Sequence, residues 1–236
     1  MKNISGLTVY ITGGTKGIGK GIAKCLLDQG LNVAISGRNA VETVAVARDL
    51  GDESRVLGIQ SDVRNFEDEQ RAVREIISKF GKIDVVIANA GLGKFAPIDE
   101  MSLEDWNAMI DTNLTGAFHT LKATVEQLKQ NKGYYISIAS LAGINFFENG
   151  AGYNASKFGV VGFTQAAMLD LRQKDVKVTT ILPGSVTSHF NEHTPDEQKD
   201  KWKIQPEDIG ELIVSVLQMN PNALPSKIEI RPTKTA

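Results

Sequence analysis

Residues 12–19 read Thr12-Gly13-Gly14-Thr15-Lys16-Gly17-Ile18-Gly19, and this stretch decides the fold. A short apolar run, 7–11, precedes it, and an amphipathic run, 17–29, follows it. Glycines at a strand-to-helix turn let the backbone adopt positive φ and approach a ligand closely. The helix that follows presents unpaired N–H groups and a partial positive charge to a phosphate. The stretch therefore predicts a phosphate-binding turn, with a merely tight turn as the alternative.

The spacing of these glycines separates two kinds of nucleotide site. Gly14-x4-Gly19-Lys20 matches the phosphate loop of nucleotide triphosphatases, but the next residue is Gly21, which supplies no hydroxyl for Mg²⁺. The spacing also differs from the G-x-G-x-x-G pattern of many dinucleotide-binding proteins. A dinucleotide is favoured, and its candidate contacts in the turn are Gly13, Thr15, Lys16, Gly17, Ile18 and Gly19.

Short apolar runs alternate with longer amphipathic runs along the rest of the chain. The strand candidates are Leu7–Ile11, Asn32–Ser36, Arg55–Gln60, Ile83–Ala88, Tyr134–Ala139, Lys177–Leu182 and Lys227–Ile230. The helical candidates are 17–29, 40–50, 66–80, 103–130, 152–174 and 206–219. Such alternation predicts a parallel sheet covered by helices on both faces. We predict one domain over 1–236, an α/β fold of the Rossmann type, with a doubly wound sheet of about seven strands in the order 3-2-1-4-5-6-7.

The segment 185–205 interrupts this alternation. It is polar and charged, and it separates a strand from a helix. Loops of this length in compact domains are usually lids or binding loops, and ligands of such sheets bind outside the carboxyl ends of the strands. We therefore expect the 185–205 segment to cover a substrate.

Composition and charge narrow the class of protein. Of the 236 residues, 42% are hydrophobic and 23% charged, as in ordinary globular proteins. The net charge of -2 gives no electrostatic basis for binding nucleic acid or an anionic membrane. No apolar run approaches the ~18 residues of a membrane-spanning helix. The N-terminal residues do not resemble a signal peptide, and the lone Cys25 forms no internal disulfide, so a cytoplasmic location is expected.

The end of the second strand indicates which dinucleotide binds. An acidic residue there would hold the 2′-hydroxyl of NAD. This chain instead reads Ile35-Ser36-Gly37-Arg38-Asn39. Arg38 is suited to a 2′-phosphate, and Lys16 would add a second positive charge. NADP(H) is therefore favoured over NAD(H), with a solvated Arg38 at a helix start as the alternative.

Tyr153 and Lys157 form the candidate proton-transfer pair. They are four residues apart in Gly150-Ala151-Gly152-Tyr153-Asn154-Ala155-Ser156-Lys157, so a helix would place both on one face. At ~4.5 Å and an effective dielectric of ~20, the ammonium would favour the phenolate by roughly 3–4 kcal/mol and bring the pKa from ~10 to ~7–8. That range suits general acid/base catalysis. The alternative is a lysine stem packed on a surface tyrosine.

With these motifs in place, the chain resembles the classical branch of the short-chain dehydrogenase/reductase family over almost its full length. Further motifs appear in the order of that family: Asp62-Val63, Asn89-Ala90-Gly91, Asn113, Ser140 and Pro183-Gly184-Ser185-Val186-Thr187. The resemblance implies that Asp62 and Val63 contact adenine and that Asn89, Ala90 and Gly91 border the cofactor. It also implies cofactor contacts from Pro183, Gly184, Val186 and Thr187, the last to the nicotinamide amide.

The resemblance further implies a mechanism that interconverts a ketone or 3-oxo group and a secondary alcohol. Tyr153 would exchange the proton, and Lys157 would lower its pKa and bind the nicotinamide ribose. Ser140 would hydrogen-bond the carbonyl oxygen, and Asn113 would hold a water that links Lys157 to solvent. A sensor or scaffold that binds NADP(H) without turnover is the alternative function. Helices 103–130 and 152–174 would form a homodimer or homotetramer, although the ending Lys227–Thr233 departs from that of many relatives.

Two further features carry weaker expectations. His189-Phe190-Asn191-Glu192-His193 matches an inverted zinc-protease motif, but it lies in the polar 185–205 segment with Pro195 close behind, so no metal site is expected. Phe146 and Phe147, between Ser140 and Tyr153, either line the substrate pocket or simply pack.

Overall fold

A computed structural model of the chain describes residues 2–188, 190–196 and 198–234. Its strands are β1 (Thr8–Thr12), β2 (Asn32–Gly37), β3 (Val56–Gln60), β4 (Val85–Ala88), β5 (Tyr134–Ile138), β6 (Lys177–Pro183) and β7 (Lys227–Ile230). They form a seven-stranded sheet in the order β3-β2-β1-β4-β5-β6-β7, and every neighbouring pair is parallel. The predicted fold class and strand order are confirmed.

The helices are α1 (Gly17–Asp28), α2 (Ala40–Leu50), α3 (Phe66–Phe80), α4 (Leu103–Met109), α5 (Gly116–Asn131), α6 (Ala151–Leu171) and α7 (Pro206–Leu217). Side chains at their N-termini explain several starts: Asn39, Asn65 and Ser102 each accept a hydrogen bond from the first turn of α2, α3 and α4. The helical run predicted over 103–130 is confirmed, but it is not α-helical throughout, because a π-helical turn, Ile110–Thr115, joins α4 to α5.

The central strands β1, β4, β5 and β6 are buried on both faces, as their near-continuous apolar sequences require, whereas the edge strand β7 is partly exposed. In β1, Val9 and Ile11 pack in a cluster with Leu26 of α1, whereas Tyr10 packs on the opposite face with Ile76 of α3. Each of these central strands therefore separates two layers of helices, and its carboxyl end is fixed in position from both sides.

The 185–205 segment joins β6 to α7 with its two ends clamped together. Val186 and Ile204 form a parallel bridge, in which Thr187 N–H donates to Ile204 O at 2.9 Å and Ile204 N–H donates to Ser185 O at 3.0 Å. The described residues between these ends include a short turn of 3₁₀ helix, Phe190–Glu192. The segment thus leaves and rejoins the sheet at one place, above the carboxyl ends of the strands. Within the described ranges, no helix is long and apolar enough to cross a membrane.

Candidate active site

The glycine turn, residues 12–19, brings backbone against backbone. Gly13 and Gly17 have φ of 66° and 53°, in the left-handed region that favours glycine. A Cβ on Gly13 would lie 2.9 Å from Ala90 Cα, and one on Gly19 would lie 2.5 Å from the Gly13 carbonyl oxygen. Larger residues would therefore push the turn away from β4 and from the first turn of α1.

Side chains at the ends of β1 and β4 lock this turn in place. The Thr12 hydroxyl accepts hydrogen bonds from the N–H groups of Asn89 and Ala90, both at 3.1 Å. The Asn89 amide donates to the carbonyl oxygens of Thr12, at 2.9 Å, and Gly13, at 3.0 Å. Sequence reasoning missed Thr12, because nothing in the strand pattern marks a threonine that accepts from a neighbouring strand.

A cavity of about 520 Å³ opens at the N-terminus of α1. Eleven predicted cofactor residues line it: Gly13, Thr15, Lys16, Gly17, Ile18, Arg38, Asp62, Val63, Asn89, Ala90 and Gly91. Its other lining residues were not predicted: Gly37, Ser61, Leu92, Gly93, Lys94, Thr112, Ser188, Phe190 and Asn191. Proximity to the ends of β2, β3 and β4 is the signal that would have found most of them. The size is typical of a cofactor site, and the glycine turn offers the close backbone approach that a pyrophosphate needs.

The charged groups at this cavity differ in how they are held. Arg38 and Lys16 are exposed at its edge. Asp62 is instead paired with Arg64, whose Nε donates to both carboxylate oxygens at 3.0 Å. This pairing, assisted by Arg38, holds the pKa of Asp62 below its usual range. The cavity thus has two cations available for a ligand and a carboxylate that is already engaged.

The end of β6 contributes less to this cavity than expected. Pro183, Gly184, Val186 and Thr187 are not among the described residues that line it. The Thr187 hydroxyl accepts from Gln205 Nε2 at 3.1 Å and donates to Asp200 O at 3.4 Å, so it is used within the 185–205 segment. Contact between these residues and a cofactor stays a prediction.

Tyr153 and Lys157 lie on one face of α6, as their spacing predicts, and both are buried. Lys157 Nζ is 5.7 Å from the centre of the Tyr153 ring and donates to Ile138 O at 3.1 Å. Ser140, at the end of β5, lies close enough to the tyrosine for its hydroxyl to lower the pKa of Tyr153, and its Oγ accepts from Ala142 N–H at 3.1 Å. The structure therefore brings the predicted proton donor, its cation and the predicted hydroxyl together.

The pKa values of this pair differ from the expectation. Burial raises the pKa of Tyr153 to about 12, and the nearby Ser140 hydroxyl offsets only part of that rise. Burial also lowers the pKa of Lys157 to about 8. The predicted lowering of the Tyr153 pKa is therefore wrong for this arrangement, because loss of water around the buried phenol raises its pKa and Lys157 is not among the groups that shift it.

Asn113 occupies the π-helical turn between α4 and α5. Its amide Nδ2 donates to Leu92 O and to Ser156 Oγ, both at 2.9 Å, and its Oδ1 accepts from Leu92 N–H at 2.8 Å. A Cβ on Gly91 would lie 3.2 Å from Asn113 Oδ1 and 3.5 Å from Lys157 Nζ, so this glycine lies between the two. The asparagine fixes the chain after β4 beside Lys157, and a water held by it stays a prediction.

The two adjacent phenylalanines line one shallow cavity together, but their rings contact different partners. Phe147 contacts the Tyr153 ring, with centroids 6.4 Å apart. Phe146 stacks on Phe158 at 5.1 Å with nearly parallel rings. Only the first of these two therefore lies beside the predicted proton donor.

The described part of the chain contains no group of His, Cys, Asp or Glu side chains arranged to hold a metal ion. His189 of the inverted zinc-protease motif lies outside the described residues. His193 of the same motif binds Asp200, with Nε2 2.6 Å from Oδ2.

Known proteins with the same architecture place the chain in a family. The model of the short-chain dehydrogenase family matches residues 7–199. An uncharacterized oxidoreductase of Staphylococcus epidermidis is 31% identical over 233 residues, which are 98% of this chain and 100% of that protein. An alcohol dehydrogenase of the archaeon Thermococcus sibiricus, solved with 5-hydroxy-NADP, superposes with a TM-score of 0.91 at 28% identity over 98% of both chains.

A more distant likeness concerns the fold alone. A 3-ketoacyl-(acyl-carrier-protein) reductase of Brucella melitensis, solved with NADH, has a TM-score of 0.87 at 24% identity and covers 97% of this chain and 98% of its own. The fold, the glycine turn and these matches together define a dinucleotide-fold oxidoreductase. The chain belongs to the short-chain dehydrogenase/reductase family, as its motifs predict.

Proposed function

We propose that this protein reduces a ketone to a secondary alcohol with NADPH, using Tyr153 as the proton donor. The observation that carries the proposal is a buried Tyr153 that has the Ser140 hydroxyl nearby and Lys157 on the same helical face. A tyrosine with a pKa of about 12 keeps its proton at neutral pH, as a donor to a ketone must.

Each side chain has a defined part in this reaction. Bound NADPH would supply the hydride that adds to the carbonyl carbon. Tyr153 Oη–H donates its proton to the carbonyl oxygen, and the Ser140 hydroxyl hydrogen-bonds the same oxygen as negative charge develops there. The Lys157 ammonium stabilises the phenolate left behind and binds the ribose, and Asn113 holds a water through which the proton is replaced.

We propose NADP(H) as the preferred cofactor because of the charges at the cavity. Arg38 and Lys16 are exposed there, and Asp62 is occupied by Arg64. A 2′-phosphate would pair with the guanidinium of Arg38 in the bidentate manner that phosphates favour. The similar alcohol dehydrogenase was solved with an NADP derivative, which supports the same choice.

The remaining proposals concern organisation. We propose that the chain is one domain and that its 185–205 segment acts as a substrate lid. The protein is cytoplasmic in this proposal, and it forms a homodimer or homotetramer through α5 and α6. Phe118 on α5 and Leu169 on α6 are exposed by 47% and 57%, which supports an interface there. Light scattering during gel filtration tests the assembly, and a monomer at micromolar concentration contradicts it.

The reaction is tested by following the absorbance of NADPH while the purified protein meets a panel of ketones. Oxidation of NADPH with formation of the matching secondary alcohol is expected for at least one ketone, and faster than with NADH. Tight binding of NADPH without oxidation across the panel would contradict the proposal and favour a sensor or scaffold.

A further inference from the structure

Three phenylalanine rings surround the ring of Tyr153. Their centroids lie 5.5 Å (Phe95), 5.3 Å (Phe190) and 6.4 Å (Phe147) from that of the tyrosine. Phe95 also contacts Phe147 at 5.3 Å, with rings nearly perpendicular, and Phe190 at 6.2 Å. These tilted and edge-to-face arrangements are the ones aromatic pairs prefer. Phe95, Phe147 and Phe190 therefore form one cluster, the Phe triad.

Each ring of the triad comes from a different loop at the carboxyl edge of the sheet. Phe95 follows β4, Phe147 follows β5, and Phe190 lies in the 185–205 segment. Glycines make room for two of them: a Cβ on Gly93 would overlap the Phe190 ring, and one on Gly150 would lie 2.6 Å from Phe147. Three loops thus converge on one tyrosine, and the backbone beneath them accommodates the rings.

The rings of the triad differ from Tyr153 in their exposure to solvent. Tyr153 is only 8% exposed, whereas Phe95 and Phe147 are 40% and 44% exposed. Large apolar side chains that stay this exposed beside a reactive group are typical of a binding surface. The inner wall is apolar as well, since Tyr153 and Phe190 pack with Leu92, Met101, Met109 and Ala142.

We propose that the Phe triad selects ketones that carry an aromatic or bulky apolar group beside the carbonyl. The inference rests on the proposed function of Tyr153. A carbonyl oxygen hydrogen-bonded to the tyrosine lies ~2.7 Å from its Oη, which brings the groups on the carbonyl carbon within reach of the rings packed on that tyrosine. Aromatic groups gain edge and face contacts there, whereas a carboxylate would lose its hydration against apolar rings.

The three rings are not equally useful for a test. Phe190 also lines the cofactor cavity, so its removal would disturb cofactor binding together with substrate choice. Phe95 and Phe147 do not line that cavity and are the diagnostic positions. Phe146 is the matched control, because it is adjacent in sequence to Phe147 but stacks on Phe158.

The experiment compares kcat/KM for acetophenone, butan-2-one and acetoacetate, with NADPH saturating. Wild-type protein is expected to favour acetophenone over both others. Phe95→Ala and Phe147→Ala are each expected to lower the acetophenone to butan-2-one ratio about tenfold, from the loss of one aromatic contact and its buried area. Phe146→Ala is expected to keep the wild-type ratio, and Phe147→Leu to lie between.

The ratio separates selection from structural damage. Both ketones use the same tyrosine, so a displaced Tyr153 lowers both rates and leaves their ratio unchanged. Equal kcat/KM for the three ketones, preference for acetoacetate, or the same ratio in the Phe95, Phe147 and Phe146 variants would overturn the inference while leaving ketone reduction intact. Absence of turnover with every ketone would instead contradict the proposed function, and the inference with it.

Discussion

The glycine turn and the 185–205 segment face each other across the same edge of the sheet, but they are held by different forces. The turn is fixed by backbone contacts, left-handed glycines and the hydrogen bonds of Thr12 and Asn89. The 185–205 segment is organised around Asp200, which is 3% exposed and accepts from His193 Nε2 at 2.6 Å and Lys203 Nζ at 2.5 Å.

Because of this difference, we expect the glycine turn to stay rigid and the 185–205 segment to open. Sterically locked backbone has no alternative arrangement of similar energy, whereas a loop held by ion pairs and one aromatic ring can open at modest cost. Enzymes that must admit a substrate and then exclude water commonly combine a rigid cofactor site with such a lid. The account therefore predicts that changes in the rigid half alter stability and cofactor binding, and that changes in the segment alter local opening.

The largest effect on stability is expected from Lys157→Met, in the rigid half. Burial lowers the pKa of Lys157 from 10.5 to about 8. Below pH 8 the folded state therefore contains a buried ammonium group that has lost the favourable hydration it has in the unfolded chain. Between pH 8 and pH 10.5 the unfolded chain binds more protons than the folded chain. The buried charge of Lys157 therefore lowers the free energy of unfolding by about 3 kcal/mol below pH 8, and this destabilisation fades as the pH rises towards 10.5.

Lys157→Met should accordingly raise the free energy of unfolding at pH 7 by up to about 3 kcal/mol, less the lost bond to Ile138, while abolishing turnover. Urea unfolding between pH 7 and 10 measures it, and the gain should shrink with rising pH. Lys24→Met, at an exposed lysine of α1, is the control and should change little. A variant as stable as wild type at pH 7 contradicts this part of the account.

The next effect concerns the cofactor. Arg38→Asp replaces a cation at the cavity by an anion, so NADPH affinity should fall by about 2 kcal/mol, roughly 30-fold, while NADH affinity changes much less. Fluorescence titration with each cofactor measures both. Arg48→Asp makes the same charge change on the exposed far end of α2 and should leave both affinities near wild type. Equal losses for NADPH and NADH with Arg38→Asp would refute the assigned preference.

A smaller effect on stability should show that the position of a glycine in the turn matters, and not merely the replacement of any glycine by alanine. Gly19→Ala brings a Cβ to 2.5 Å from Gly13 O and 2.6 Å from Asn89 Nδ2, so it should destabilise the fold by about 1–3 kcal/mol and weaken NADPH binding. Gly162→Ala is the control: its Cβ would meet nothing within 4 Å on the exposed face of α6, and it should stabilise by about 0.5–1 kcal/mol. Thermal unfolding compares the stabilities of the two variants. Equal changes in the unfolding temperature would contradict the steric locking of the glycine turn.

The smallest global effect is expected in the 185–205 segment. Asp200→Asn removes the charge that binds His193 and Lys203, whose hydrogen bonds hold the pKa of Asp200 far below its usual range. The midpoint of global unfolding should stay near that of wild type, while hydrogen exchange within the segment speeds up about tenfold. Asp175→Asn, which breaks an exposed ion pair with Lys132, should leave that exchange unchanged. A loss of global stability without faster local exchange would remove the distinction between the two regions.

Sequence reasoning succeeded where local pattern decides structure. Alternating apolar runs and the glycine turn were enough to predict the parallel sheet, because periodicity and backbone sterics are short-range properties, and the strand order was that expected of the Rossmann-type fold. The spacing of Tyr153 and Lys157 likewise follows from helix geometry.

It failed where distant contacts decide. The π-helical turn at 110–115 accompanies the bonds of Asn113 to Leu92, which lies 21 residues earlier in the chain. The pKa of Tyr153 depends on burial beneath rings from three loops, which no spacing predicts.

The proposal that Tyr153 donates the proton is tested most directly by comparing wild type with Tyr153→Phe, which removes one hydroxyl and keeps the ring. NADPH binding is measured by titration and ketone reduction by NADPH oxidation in the same preparation. The account predicts unchanged NADPH affinity and a fall in kcat of ~10²–10⁴-fold. Reduction of the ketone by Tyr153→Phe at the wild-type rate would contradict it.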